Sequence, residues 1–441
     1  MARQRVVIVG AGFGGLECAK ALSGSAVDVL IVDRNNYHLF TPLLYQVASS
    51  LLNPSDIAYP VRRVFRGSPN VLFRQAEIVG IDFDRRVLLL PEDERIDYDW
   101  LVIAAGSTTN FFGNREVEQS ALGLKTLGEA LQLRNHILLC LEEASQLDER
   151  EAQRPWMTFV IVGGGPTGVE FAGALSELMH LVLEREYPTI EVPPRIVVVE
   201  GRDRVLAPFP EKLSAYTQKR LDKLGVEVIL ERLVTGMESD VVTLSDDSQI
   251  DAKTLVWSAG VKPESLAEHP DVAHAARSRR IEVDAHLRVN DHVFAIGDIA
   301  AVKDDGVELP MMSPPAMQEG RYVARYIQAH LGEEPEGAPR IEPFEFVDKG
   351  MMATIGRNAA VCTIGGRSFT GFFAWLVWLV VHIYYLIGYR NRFAVLWSWS
   401  WNYIWYDRPV RIITRAEPEP LLVEGRDAEK SGGAAQSREL G

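Results

Sequence analysis

Two runs of aliphatic and β-branched residues, Val6-Val7-Ile8-Val9 and Phe159-Val160-Ile161-Val162, set the rhythm of the chain. Both are continuous rather than alternating, as strands covered on both faces require. Each ends in glycines and leads into a helical pattern, Leu16–Leu22 in the first case and Val169 to about Glu184 in the second. Each then returns to a second buried run, Val27–Asp33 or Arg195–Glu200, that closes on an acid. Leu101-Val102-Ile103 and Leu255-Val256-Trp257 form a third matched pair, ending at Ala105-Gly106 and Ala259-Gly260. Val293-Phe294-Ala295-Ile296 is a last buried run and stops at Gly297-Asp298. Strand, helix and strand in that repeated order predict an α/β chain with parallel sheets. Between these blocks, Tyr37–Pro60 reads as a long irregular stretch, Val71–Ile78 and Arg86–Leu90 as strands, 125–148 as a helix and Asp148–Arg154 as a polar linker.

Near the C-terminus the pattern changes. Residues 368–389 contain no formal charge and are long enough to span a bilayer. Yet Gly371, Ala374, Trp378, His382, Tyr385 and Tyr389 share one helical stripe that is smaller or more polar than the rest, as a face docked on protein would be. Arg390 and Arg392 end this helix, and Phe393–Tyr406 follows as a second uncharged stretch. Phe393, Trp397, Trp401, Ile404 and Trp405 share its apolar face, Ser398 and Asn402 lie opposite, and Trp399 breaks the pattern. Six of the nine tryptophans fall in 375–405, and Trp prefers the membrane–water interface. The expected arrangement is an amphipathic helical hairpin lying in one leaflet, in preference to a true span or a buried dimer interface. From Glu417 onward the polar, Gly/Ser-rich composition predicts disorder.

The glycines carry the candidate chemistry. Gly10, Gly12 and Gly15 form a G-x-G-x-x-G turn with Phe13 and Gly14 between them; Gly163, Gly165 and Gly168 repeat it around Pro166 and Thr167. In such a turn the first glycine bends the chain, the second admits a pyrophosphate to the backbone and the third packs helix on sheet, with the helix N-terminus facing the charge. Asp33 sits near the ~20-residue spacing expected for a ribose-binding acid. Glu200 lies farther from its own turn, across an extended helix and a Pro-rich connection, and disfavours the 2′-phosphate of NADPH although Arg202 and Arg204 are near. One such turn is a weak signal; two, each with a strand before and an acid after, imply two bound dinucleotides.

A length of 441 residues allows two to four domains. The net charge of −14 argues against nucleic acid, although six arginines against Asp407 alone between Arg367 and Arg415 suggest an anionic phospholipid surface. Cys18, Cys140 and Cys362 are scattered without a C-x-x-C pair, which suggests a reducing compartment and no redox dithiol. No metal site or EF-hand loop is expected, and the immediate entry into a strand leaves no room for a signal peptide.

Together these features resemble the two-domain flavoprotein reductases, whose fold is glutathione-reductase-like with two Rossmann-like units. Within that group the chain is similar to the type II NADH:quinone oxidoreductases, on Pro42–Ala48, Gly163–Ala172, Ala295–Asp298, Pro315–Gly320, Asp348–Arg357 and His382–Arg392. The resemblance implies FAD on Gly10, Gly12, Phe13, Gly14, Gly15, Asp33, Arg34, Ala105, Gly106, Ala316 and Asp298, the last on the ribityl chain. It implies NADH on Gly163, Gly165, Pro166, Thr167, Gly168, Glu170, Glu200, Ala259 and Gly260. It places a quinone against Tyr45, Gln46, Ala316, Met317 and Gln318, with Gln318 as a donor to a quinone carbonyl. Glu170 would position substrate or relay protons; read as a first-turn helix residue, it should have a lowered pKa unless burial raises it, which favours positioning over proton donation. The implied activity is hydride transfer from NADH to FAD and reduction of a membrane quinone, ubiquinone or menaquinone, without proton pumping. The implied enzyme is a homodimer, monotopic on the cytoplasmic face of the membrane. The expected layout is an FAD part at 1–120, an NADH part at 121–265, a second FAD part at 266–345, an anchoring and dimerisation segment at 346–415 and a tail at 416–441. Alternatives are a sulfide:quinone oxidoreductase, disfavoured by the cysteines, a soluble ferredoxin or rubredoxin reductase, disfavoured by the Trp-rich end, and a non-catalytic redox sensor.

Overall fold

Val6, Val7 and Ile8 have no exposed surface, so the strand Gln4–Val9 must lie inside a sheet covered on both faces. In the computed structural model, which describes residues 3–267, 272–331, 341–405, 407–408 and 410–414, it does. Trp100–Ile103 pairs with it in parallel on one side and Val27–Asp33 on the other, with Val71–Gln75 beyond the latter. Val293–Ala295 joins parallel to Trp100–Ile103, and Arg288–Asn290 adds an antiparallel edge. The tail expected to be disordered lies outside the described residues.

The second sheet repeats this order. Thr158–Val162 is central, flanked in parallel by Thr254–Trp257 and Arg195–Glu200, with Val226–Leu230 beyond the latter and Leu122–Gly123 at the other edge. In both sheets the strand that ends in glycines lies between the strand that ends in an acid and the strand that ends in Ala-Gly. The glycine turns, acids and small-residue turns therefore gather at the carboxyl ends of the strands, where α/β sheets bind ligands. Ser107–Thr109 and Val261–Pro263 pair antiparallel and link the two units just beyond those ends.

Two expectations need correction. Tyr37–Pro60 is not irregular: Tyr37–Leu39 pairs with Ala58–Pro60, and between them lies a short helix, Leu44–Ala48, in which every residue is buried. Its Leu43, Leu44, Val47 and Ala48 join the core beneath the second sheet, so hydrophobic burial rather than local propensity orders the segment. The expected linker Asp148–Arg154 contains the short helix Arg150–Gln153. The helix foreseen at 125–148 runs Leu127–Ser145, started by a Thr126/Glu129 capping box.

After Met351–Thr354, Ala360–Ile364 and Arg367–Thr370, a three-stranded antiparallel sheet, the chain forms two helices, Gly371–Tyr385 and Tyr389–Trp405. Among the described residues no helix is long and apolar enough to cross a membrane. The docking stripe holds for Ala374, Trp378 and His382, which are buried, but Tyr389 is 88% exposed. The break comes before Arg390, because Gly388 takes a left-handed φ of +87° with the Tyr59 ring 2.5 Å from where a side chain would stand. Arg392 then donates to the Leu386 and Tyr384 carbonyls at 2.7 and 2.8 Å, satisfying the end of the first helix.

Candidate active site

Sterics explain each glycine of the two turns. A side chain on Gly10 would sit 2.2 Å from the Ala104 carbonyl oxygen, and one on Gly15 2.0 Å from the Gly10 carbonyl oxygen. Gly12, between them, faces no atom within 4 Å. The second turn matches: Gly168 approaches the Gly163 carbonyl at 2.0 Å, Gly163 packs on Ala259 at 3.0 Å, and Gly165 meets nothing within 4 Å. Two glycines close each turn and the middle one opens onto free space at a helix start, Phe13 or Pro166. That is the space a pyrophosphate needs, so both turns fit a dinucleotide.

The acids bind their own turns. Asp33 Oδ2 accepts from the Ala11 N–H at 2.7 Å, and Glu200 Oε2 accepts from the Gly164 N–H at 2.6 Å. Burial raises the Asp33 pKa against the pull of two backbone N–H groups. Arg34 is turned to an ion pair with Glu264. Beyond Ala105, Gly106 adopts φ +78°, and beyond Ala259, Gly260 adopts +81°. Asp298 Oδ2 accepts from Ser107 Oγ at 2.5 Å and faces Lys125 Nζ at 3.4 Å, and Lys125 also donates to Ser107. The helix Ser313–Ala329 closes over the first turn: Gly320 allows contact with the Gly14 carbonyl, and the Ala316 carbonyl lies 3.1 Å from the site of a Gly14 side chain.

A separate cavity of about 70 Å³ lies between the second nucleotide helix and the carboxy-terminal hairpin. Tyr45, Gln46, Glu170, Trp378, Trp399 and Arg408 are among its lining residues. Glu170 Oε1 accepts from the Thr354 N–H at 3.2 Å. Burial drives its pKa up to about 8, against smaller downward pulls from that N–H and from the nearby Trp378 indole. The Trp378 indole, only 1% exposed, faces the Glu170 carboxyl without reaching normal hydrogen-bond geometry. Trp399 Nε1 donates to Gln46 Oε1 at 2.7 Å, and Gln46 donates to the Tyr45 hydroxyl at 2.9 Å. Arg408, also 1% exposed, donates to the Ser49 and Ala174 carbonyls and pairs with Glu177 at 3.1 Å. The cavity thus holds a carboxylic acid kept neutral by burial and an indole N–H turned toward it, beside a fixed cation.

The family model for pyridine nucleotide-disulphide oxidoreductases matches residues 4–320. The chain is 37% identical to the type II NADH:quinone oxidoreductase NdhA of Mycobacterium tuberculosis, covering 93% of this chain and 90% of that one. It is 37% identical to the type II NADH:quinone oxidoreductase Ndh of the same organism, covering 98% and 96%. The chain belongs to the type II NADH:quinone oxidoreductase family. Its fold is that of the NDH2 structure from Plasmodium falciparum in complex with NADH, with a TM-score of 0.84 at 20% identity over 92% of this chain and 99% of that one.

The residues expected at the quinone site of this type II oxidoreductase do not gather in one place. Tyr45 and Gln46 line the cavity, whereas Ala316, Met317 and Gln318 are not among its lining residues. The Gln318 amide donates to the Val347 carbonyl at 3.0 Å and accepts from the Val347 N–H at 3.0 Å, so both ends are held by backbone. The reading of Glu170 as a first-turn residue with a lowered pKa is also corrected. The helix starts at Pro166, Glu170 lies past its first turn, and desolvation outweighs the helix dipole.

Sequence reasoning missed several groups. Trp378 was seen only as a member of a docking stripe. Arg408 and Glu177 make their pair across 231 positions, which no local pattern reports. Trp399 did carry a signal: it broke the outer face because it points inward, to Gln46. Glu319, beside Gln318, is buried, accepts from the Gly297 N–H at 2.5 Å and is raised by burial to about 7. All three cysteines are buried, and burial raises the Cys18 thiol to about 12 and Cys140 to about 11.

Proposed function

We propose that this chain oxidises NADH through FAD and reduces a membrane quinone, ubiquinone or menaquinone, as a non-electrogenic NADH:quinone reductase. The observation that carries the reading is the pair of turns, each with its middle glycine open, in a chain that is a family member over nearly its whole length. Bound FAD supplies a carrier that takes a hydride from the nicotinamide and returns electrons to the quinone. In the first cradle Gly10, Gly12, Phe13, Gly14 and Gly15 hold the pyrophosphate, Asp33 the adenosine ribose and Asp298 the ribityl chain, with Lys125 and Ser107 fixing Asp298. In the second, Gly163, Gly165, Pro166, Thr167 and Gly168 hold NADH, Glu200 its ribose, and Ala259 and Gly260 the nicotinamide end. Glu170 is the group that meets the quinone's proton demand: held neutral by burial, it offers an O–H into the cavity beside the Trp378 indole. Gln318 acts from the first cradle by fixing the backbone at Val347.

The hairpin supports attachment to a lipid leaflet. Phe373, Val380, Tyr384, Phe393, Trp397 and Ile404 are all more than half exposed, far more apolar surface than solvent normally faces. Apolar burial, more than charge, carries this attachment. Of the arginines that suggested an anionic surface, Arg408 is buried, Arg411 pairs with Glu186 and Arg392 is spent on carbonyls, while Arg367 and Arg390 remain exposed. A second copy of the chain shares the same C-terminal segment in a homodimer. The cytoplasmic side is favoured by three free, buried thiols. The test is anaerobic mixing of purified protein with NADH. The yellow flavin band should bleach with NADH faster than with NADPH and return on adding a short-chain quinone. A colourless protein, or a reduced flavin that quinone leaves unchanged, overturns the reading.

A further inference from the structure

A second cavity, of about 300 Å³, opens where the two nucleotide units meet. Its location follows from three contacts. The Asn110 N–H donates to the Gly260 carbonyl at 3.3 Å, and Trp257 Nε1 donates to the Asn110 carbonyl at 2.9 Å, so Asn110 sits on the nicotinamide-side turn. Val261 and Lys262 continue directly from that turn into the strand that pairs with Ser107–Thr109. From the other unit comes Met311, two residues ahead of the helix whose Ala316 touches the FAD turn.

Three cations line this cavity, Lys262, Arg277 and Arg279; all are exposed, and among the described residues no acid lines it. None of the three makes an ion pair with another described residue, whereas nearby Arg34 and Arg280 are paired with Glu264 and Glu308. Three cations gathered without an acid among the described residues stand out in a chain of net charge −14, which repels an anionic dinucleotide at long range. A local positive lip at the seam would oppose that repulsion beside the Gly260 turn of the second cradle.

We propose that Lys262, Arg277 and Arg279 form a cationic vestibule that captures the pyrophosphate of NADH and guides it into the second cradle. The inference rests on the reading that NADH occupies that cradle, and adds a function for residues outside it. The vestibule acts on encounter, so it raises the association rate and leaves the later transfer steps alone. It is screened by salt, because all three groups face solvent.

The test compares wild type with the K262E/R277E/R279E triple variant, the single variant R279E and the control K219E, whose exposed lysine lies on the helix Glu211–Lys223. At low ionic strength the triple variant should lower the second-order rate of flavin reduction by NADH on the order of tenfold. R279E should lower it about threefold, and K219E, with the same change in net charge as R279E, much less. The gap should narrow toward twofold or less at high salt, where screening is short-ranged. Direct titration with NAD⁺ should show the same weakening, with KM raised more than kcat is lowered, and reoxidation by an uncharged quinone should not move. Equal effects from R279E and K219E would overturn the proposal, since net charge alone would explain them. Wild-type kinetics with lost binding to anionic vesicles would overturn it in favour of a lipid-facing patch. No flavin reduction by NADH in any protein, wild type included, would instead sink the reading on which it rests.

Discussion

Replacing Glu170 by Gln tests whether burial keeps this carboxyl neutral in the cavity it lines. Burial sets the carboxyl at about 8 in the folded protein, against an ordinary value of 4.5. A raised folded-state pKa means the neutral acid's contribution to stability is fully present below about 4.5 and is lost as pH rises through about 8. Each pKa unit corresponds to about 1.4 kcal/mol, so ionising this one group costs on the order of 4–5 kcal/mol between those limits. Gln keeps the shape and the acceptor for the Thr354 N–H but cannot ionise. The variant should match wild type near pH 5 and exceed it by several kcal/mol near pH 8.5. Glu319 titrates in the same direction toward about 7, but it does so in both proteins and drops out of the difference. Urea unfolding of the FAD-loaded protein from pH 5 to 9 measures that difference; with m near 3 kcal/mol/M the midpoints should separate by more than about 1 M. If the two proteins lose stability in parallel across that range, the buried-acid argument fails. The same variant should also flatten the alkaline limb of the quinone-dependent pH profile.

Other predictions address different layers. Gly15→Ala should prevent FAD retention, because the new methyl group meets a carbonyl oxygen at 2.0 Å, whereas Gly12→Ala should fold normally and bind FAD more weakly; absorbance of the purified proteins checks both. Gln318→Leu should cost about 0.5–1.5 kcal/mol by removing its two hydrogen bonds to the exposed Val347 backbone, read as a lower urea midpoint; an unchanged midpoint with a raised quinone KM would return the amide to the substrate. Substituting Ser for exposed Phe373, Phe393 and Trp397 should release the protein from neutral lipid vesicles in flotation, since each ring contributes roughly 1.5–3 kcal/mol of apolar burial, while a soluble short-chain quinone is still reduced.

Much of the fold was legible because both sheets are parallel and doubly covered. Continuous runs such as Val6–Val9 and Phe159–Val162 leave little choice of partner, and the glycines after them mark their carboxyl ends. The nucleotide turns were legible for the same reason: a spacing of glycines is a local record of close backbone contacts. The quinone side was not. Tyr45, Glu170, Trp378 and Arg408 lie in four separate stretches, and each has a bland local reading as a loop, helix-start, docking or surface residue. Only packing shows that Glu170 is far enough from water to keep its proton. The stripe from Gly371 to Tyr389 was half right, because periodicity gives a face but cannot foresee the turn that Gly388 makes against Tyr59.

Arg408 gives the order of assembly a constraint. Its guanidinium lines the cavity and ties Ser49 and Ala174 together, although it belongs to almost the last described stretch of the chain. A ribosome releases the flavin- and nicotinamide-binding segments long before that arginine emerges. A polypeptide halted short of Arg408 would therefore carry both nucleotide turns but leave the Ser49 and Ala174 carbonyls beside Glu170 without their shared donor. Completing the chain is what connects the enzyme to respiration.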